Sequence, residues 1–156
     1  MIQSDLPTIL TMGEPSGIGG EIALKAWLAG HNELSPFCII DSPARLKKIS
    51  TSLKLNASIT EISDIEKAAG VFNKSLPVLP IDLPEDAIPG KLNTLNSPAV
   101  LSAIKQAVID NADIINISLG VDVIYDLIDD AVNEAVNNGV VVVVAAGNSG
   151  PEEKTI

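Results

Sequence analysis

The turn Gly13-Glu14-Pro15-Ser16-Gly17-Ile18-Gly19-Gly20-Glu21 is the stretch of this sequence whose residue types and spacing best suit ligand chemistry. The apolar run Thr8 to Met12 leads into it, and helical spacing from Glu21 to Leu28 leads out. Backbone N–H groups at a helix start therefore meet a loop of small residues, an arrangement that accepts an anion such as phosphate. Gly13, Ser16, Gly17, Ile18 and Gly19 are the candidate contacts. The spacing matches neither the dinucleotide fingerprint nor the phosphate loop of nucleotide hydrolases, which also needs a Lys that is absent here. Glu14 and Glu21 would oppose an anion.

Other reactive side chains are isolated. His31 is the single histidine, placed just after the helix stop expected at Gly30, and reads as a surface residue. Cys38 is the single cysteine and lies between Phe37 and Ile39, as a buried small hydrophobe would. Asp126, Asp129, Asp130 and Glu134 fall on the outer face of an amphipathic helix, with no histidine near them in sequence, so no metal site is expected. A triad of His31, Asp41 and one of the many serines is not expected either. Ser42 before Pro43 reads as a helix cap, and a triad base must touch both of its partners.

Composition narrows the function classes. Hydrophobic residues make up 46% and charged ones 19%, a balance that belongs to folded globular chains. Aromatics are only 3%, too few for a base-stacking surface. A net charge of -10 repels a phosphate backbone, so nucleic acid is not expected as a partner. The start MIQSDLPT has no signal-peptide pattern, and no apolar run approaches the roughly 20 residues that cross a bilayer. The expectation is a cytoplasmic protein without a membrane partner.

The elements that must position the turn alternate between strand and helix. Thr8 to Met12, Phe37 to Ile40, Ser58 to Ile62 (short, at an edge) and Leu76 to Ile81 read as strands. Pro77 and Pro80 allow the last to pair only where their missing donors are not needed. Helices are expected from Glu21 to Leu28 with Gly30 as a left-handed cap, from Ala44 to Leu53, and from a Ser63/Glu66 capping box to Val71. Arg45, Lys47, Lys48 and Lys54 form a solvated basic face on the second of these. Residues 82–96 read as a long loop of the kind found beside binding sites. Ser97 caps a helix that runs to about residue 111, Ile114 to Ile117 is a buried strand, and Asp122 caps a further helix to Asn137. Val140 to Ala146 is apolar enough for a central strand covered on both faces. This alternation predicts a single α/β domain over residues 1–156: a three-layer sandwich with a mostly parallel sheet of about five or six strands, Rossmann-like or flavodoxin-like.

Two family resemblances divide the chain. TMGEPSGIGGE resembles the GDPAGIGPE motif of the 4-hydroxythreonine-4-phosphate dehydrogenase family, with Glu14 in place of Asp and Gly20 in place of Pro. Pro89-Gly90-Lys91-Leu92 through Ser97-Pro98-Ala99-Val100 is a second matching stretch, and the resemblance covers roughly residues 6–108. From about residue 112 to 150, ADIINISLG and GVVVVVAAGNSG resemble the middle of a subtilisin-like serine protease. The first resemblance implies NAD-dependent oxidation of a phosphorylated hydroxy-amino acid at a metal held by histidines, with the glycine-rich turn bordering the cleft. The second implies that Ser118, Leu119 and Gly120 descend from a substrate-pairing strand, and Asn148 from an oxyanion-hole donor.

Only His31 is present for a histidine-held metal, the later segments of the dehydrogenase have no counterpart, and the protease's Asp, His and Ser motifs are missing. The expectation is therefore a recombined or engineered chimera, a dehydrogenase-like segment 1–108 joined to a subtilisin-like segment 109–156 within helix 97–111. It is expected to fold without enzymatic activity or a cofactor and to self-associate through an uncovered apolar face. The alternative is retained binding of a phosphate- or nucleotide-type ligand at the Gly13 to Gly20 turn.

Overall fold

The computed structural model describes residues 7–117 and 126–144. The chain divides into two compact units, residues 1–103 and 104–156.

In the first unit β1 (Thr8–Thr11), β2 (Phe37–Asp41), β3 (Ile59–Glu61) and β4 (Leu76–Pro80) form one parallel sheet in the order β1-β2-β4-β3. Helices α1 (Gly19–Gly30), α2 (Pro43–Ser52) and α3 (Ala68–Phe72) make the crossovers. The α/β class with a mostly parallel sheet is as expected, and β3 lies at an edge as expected.

β4 is central in spite of its two prolines, and the ladder phase explains how. Leu76 N–H donates to Ser58 C=O and Ile62 N–H to Val78 C=O, so even-numbered residues of β4 turn their backbone groups toward β3. Pro77 thus faces β2, one position before the first β2–β4 pair at Ile39 and Val78. Pro80 faces β3, beyond the last β3–β4 pair at Glu61 and Val78. Each missing donor falls where no ladder bond is required.

One face of this sheet carries a well-packed cluster, and Cys38, Ile40 and Leu79 are buried on the other. Phe37, Ile39, Leu76 and Val78 pack with Ala23, Leu24 and Trp27 of α1, Leu46 of α2 and Phe72 of α3. Trp27 Nε1–H donates to the Phe72 carbonyl at 2.7 Å, so the indole is buried without an unpaired donor. Phe37 and Phe72 meet edge to face at 4.9 Å between centroids.

The second unit holds β5 (Ile114–Ile117) and β6 (Val141–Val144), paired in parallel, with α5 (Asp126–Asn137) between them in sequence. The helix α4 (Ser97–Ile109) spans the boundary between the units. Among the described residues the six strands therefore lie in two sheets, of four and two strands, rather than in one. Continuous apolar sequence misled about burial here. Val141 is 57% exposed, Val143 51% and Ile114 63%, because a two-stranded sheet has no further layer over that face among the described residues.

Local signals were mostly right about element type and less so about caps. Gly30 belongs to α1, and the following residue His31 keeps right-handed helical angles. Asp64, not Ser63, caps the turn Ile65–Lys67 by accepting from Lys67 N–H. Ser97 has helical angles and is already inside α4, the preceding turn Thr94–Asn96 being capped by Asn93. Ser42 does cap α2, accepting from Arg45 N–H with Pro43 next in line. The expected cap Asp122 lies outside the described residues.

Candidate functional site

The glycine-rich turn is built as a folded anchor. Gly13 has φ +62, which lets the chain leave β1 sharply. Glu14 carbonyl accepts from Gly17 N–H at 2.9 Å, and Glu14 Oε1 accepts from Ser16 N–H at 2.9 Å. Glu14 thus satisfies two amides of the turn itself. Those of Ile18, Gly19 and Gly20 remain at the opening of α1, where no intrahelical acceptor exists. Ile18 and Gly19 are exposed to solvent, whereas Gly20 is buried.

Ser16, by contrast, is buried, and its partners come from far along the chain. Its Oγ donates to the Lys91 carbonyl at 2.7 Å, and its own carbonyl accepts from Gly90 N–H at 2.8 Å. The partner segment is a tight turn in which Lys91 N–H returns to Ile88 C=O at 3.0 Å. Pro89 and Gly90 occupy its centre, and Gly90 has the positive φ of +74 that a type II turn requires at that position. The 82–96 loop is thus fastened onto the glycine-rich turn at one residue.

Beneath the turn lies a pair that the sequence did not reveal. Arg45, expected on a solvated face, is only 6% exposed. Its Nε donates to Pro15 C=O at 2.8 Å and its Nη1 to Asp41 Oδ2 at 2.6 Å. Asp41 is fully buried, and its other oxygen accepts from Ser42 N–H at 2.7 Å. Burial pushes the Asp41 carboxyl up to about 6 from the ordinary 3.8, against the opposing pull of Arg45 and Ser42 N–H. Among the described residues Arg45 Nη2 is buried without a hydrogen-bond partner, as is Nδ2 of Asn96, whose Oδ1 accepts from Glu85 N–H. The signal for the pair was a carboxylate at a strand end four residues before a helix-borne Arg. The neighbouring Lys47 and Lys48, which are exposed, masked it.

Gly20 permits this arrangement. A Cβ there would lie 2.8 Å from Arg45 Nη1 and 3.0 Å from Leu46 Cδ2. The close approach of α1 to α2 therefore needs a residue without a side chain at this position.

The other candidates stand apart. His31 is half-buried rather than a surface residue, stacked on Trp27 at 4.7 Å with Nδ1 3.0 Å from the Trp27 carbonyl. Cys38 is fully buried. Among the described residues no three His, Cys, Asp or Glu side chains are placed to share a metal ion, and none of the helices is long and apolar enough to cross a membrane. Ser118, Leu119, Gly120 and Asn148, assigned through the protease resemblance, lie outside the described residues.

The two stretches that carry the dehydrogenase motif, TMGEPSGIGGE and PGKL, are the two that Ser16 joins. The chain is 39% identical over 111 residues to a 4-hydroxythreonine-4-phosphate dehydrogenase of Methylorubrum populi, covering 69% of this chain and 32% of that protein. A second dehydrogenase of the same name, from Zymomonas mobilis, is 33% identical over 65% of this chain and 29% of its own length. The Subtilase family profile matches residues 83–156. The chain is similar to two families.

The subtilase match begins at residue 83, well upstream of residue 112, and takes in nearly all of the 82–96 loop and the whole of α4. The chain spans about a third of the length of the dehydrogenases it matches. Solved structures carry the fold likeness further. The dehydrogenase of Burkholderia phymatum superposes with a TM-score of 0.62 over 95% of this chain and 42% of its own, at 22% identity. That of Klebsiella pneumoniae gives 0.56 over 81% and 40%, at 21% identity. One expectation is overturned. The chain was placed outside enzyme chemistry because its histidines are too few, yet the relatives at up to 39% identity are named as enzymes. A residue count over one third of a protein's length cannot exclude the chemistry of the family it resembles.

Proposed function

We propose that residues 7–103 form the amino-terminal part of a 4-hydroxythreonine-4-phosphate dehydrogenase-type catalytic body, and that the Ser16 junction is one wall of its binding cleft for a small phosphate-bearing ligand. The observation that carries this reading is the pair of bonds from Ser16 to Lys91 C=O and Gly90 N–H, which brings both motif stretches to one place. The amides of Ile18 and Gly19 at the exposed start of α1 would receive the anion, with Gly13 and Gly17 shaping the loop. Arg45 holds the turn from below through Pro15, and Asp41 holds Arg45. The charge of -10 favours a small ligand over a nucleic acid.

The subtilase-like part is read as a second ancestry joined within α4. The division of the chain between Ala103 and Ile104, inside that helix, supports this reading.

The test is thermal unfolding of the purified chain against inorganic phosphate and, separately, NAD. A ligand of the native state raises the midpoint with the logarithm of its concentration. Ser16→Ala should remove most of the rise by loosening the junction. A wild-type midpoint unmoved by either ligand would overturn the reading.

A further inference from the structure

Asp41 ends β2, at the carboxyl ends of the parallel strands, where sheets of this kind bind ligands. Its partner Arg45 spans the glycine-rich turn from Pro15 to Gly20. Nε donates to Pro15 C=O, and Nη1 lies so near α1 that a Cβ on Gly20 would come within 2.8 Å of it. Nη2 has no hydrogen-bond partner among the described residues, although the side chain is only 6% exposed. A guanidinium with a spare donor therefore sits under the first turn of α1.

The helix opposes a cation in that place, because its first turn presents unpaired N–H groups and the positive end of its dipole. The Asp41 carboxylate supplies the counter-charge, at the cost of its own burial. Burial raises the carboxyl to about 6, so this counter-charge comes and goes in mildly acid solution. The charges around the pair are few. β1, β4 and α3 carry none. Glu14 of the turn accepts from Ser16 N–H, Glu21 of α1 pairs with Lys25, and Lys47 and Lys48 of α2 pair with Glu61 and Asp86. Asp82, Glu85 and Lys91 of the 82–96 loop are exposed. His31 follows the far end of α1, roughly 18 Å along the helix from its start.

We infer that Asp41 is an internal counter-anion for Arg45, and that a small oxyanion at the Ile18 and Gly19 amides takes over this role when Asp41 is protonated. Binding of the anion and uptake of a proton from solvent by Asp41 are then linked, each favouring the other. Gly20 makes the linkage strong, since the missing side chain lets the guanidinium approach the helix start through a dry interior. The place of the anion rests on the reading in the previous section. The linkage rests on the buried pair, Gly20 and the spare Nη2 donor.

The experiment titrates sulfate, which keeps both its charges throughout, into the full chain at about pH 5 and about pH 8, with the Ile18 and Gly19 amides followed by nuclear magnetic resonance. The Kd should be about fivefold or more lower at the acid pH. By reciprocity, saturating sulfate should move the midpoint of the Asp41 carboxyl titration upward by about 0.7 pH or more. Asp41→Asn, neutral throughout, should bind sulfate with the tighter affinity at both pH values, and circular dichroism reports its fold. Where that variant does not fold, the carboxyl midpoint of the wild type decides alone. Equal affinity of the wild type at both pH values, or a carboxyl midpoint that sulfate leaves in place, would overturn the inference and leave the anion site intact. A pH dependence that persists in Asp41→Asn would also overturn it, by assigning the effect to the surface carboxylates. Sulfate that binds at neither pH would remove the site and the linkage together.

Discussion

Ser16 and Lys91 are joined across 75 positions by a hydrogen bond from the serine Oγ to the lysine carbonyl at 2.7 Å. Gly90 N–H returns the connection to the Ser16 carbonyl at 2.8 Å. A loop that would otherwise run over the surface is held where the sheet, α1 and α2 meet.

Ser16→Ala removes the side-chain half of that connection and leaves the Lys91 carbonyl to find water. The expected loss is about 1 kcal/mol, measured by urea unfolding with an unchanged m-value. Faster amide exchange at Gly90 would show that the loop itself had loosened. Unchanged exchange there would mean that Ser16 does not hold the loop.

Asp41 and Arg45 should behave as a unit. Arg45→Met at pH 8 leaves the buried Asp41 carboxylate without its counter-charge and should cost about 3–5 kcal/mol. Replacing both, with Asp41→Leu and Arg45→Met, should cost less than the sum of the single losses, because both charges leave the interior together. An additive double mutant would show that the pair is not coupled.

The same pair sets a pH dependence. The folded chain holds the Asp41 proton more tightly than the unfolded chain does, since the carboxyl moves up to about 6 from 3.8. Its contribution to stability is therefore fully present below about pH 4 and is lost as pH rises through about 6. The stability of the wild type minus that of Asp41→Asn should fall across this window and level off above about pH 7. A difference that rises with pH there would reverse the assignment.

Two glycines of helices should respond oppositely to alanine. At Gly20 the new methyl meets Arg45 Nη1 at 2.8 Å, an atom that Asp41 holds in place, with Leu46 and Ile49 close behind. Gly20→Ala should cost about 1–3 kcal/mol. At Gly70 in α3 nothing lies within 4 Å of an added Cβ. Gly70→Ala should stabilise by about 0.5–1 kcal/mol through helix propensity, and thermal midpoints of the two variants should move in opposite directions.

The half-covered strands of the second unit should exchange faster than the central ones of the first. Val141 and Val143 are more than half exposed, whereas Ile39 and Val78 are at most 1% exposed. Native-state amide exchange should place β5 and β6 below β2 and β4 in opening free energy. Equal protection would show that a layer covers β5 and β6 in solution.

What could be read from residue order alone was whatever depends on near neighbours. Alternating strand and helix patterns gave a parallel α/β body, and Ser42-Pro43 gave the start of α2. The glycine-rich stretch was correctly placed between β1 and α1. Capping was misread where two hydroxyl or acidic residues adjoin, as at Ser63 and Asp64. Either can satisfy the same first-turn amide, and only the path of the chain selects one.

The sequence by itself determined the periodicities, the glycine positions and the two family likenesses, because each resides in a short run of residues. Tertiary structure alone decided that Arg45 turns inward to Asp41, that Ser16 reaches Lys91, and that a run of valines keeps one face in water. Burial and charge pairing are set by which distant segments arrive at a residue. Hydropathy along the chain records the preference of a side chain for cover, and only the assembled layers supply that cover or withhold it.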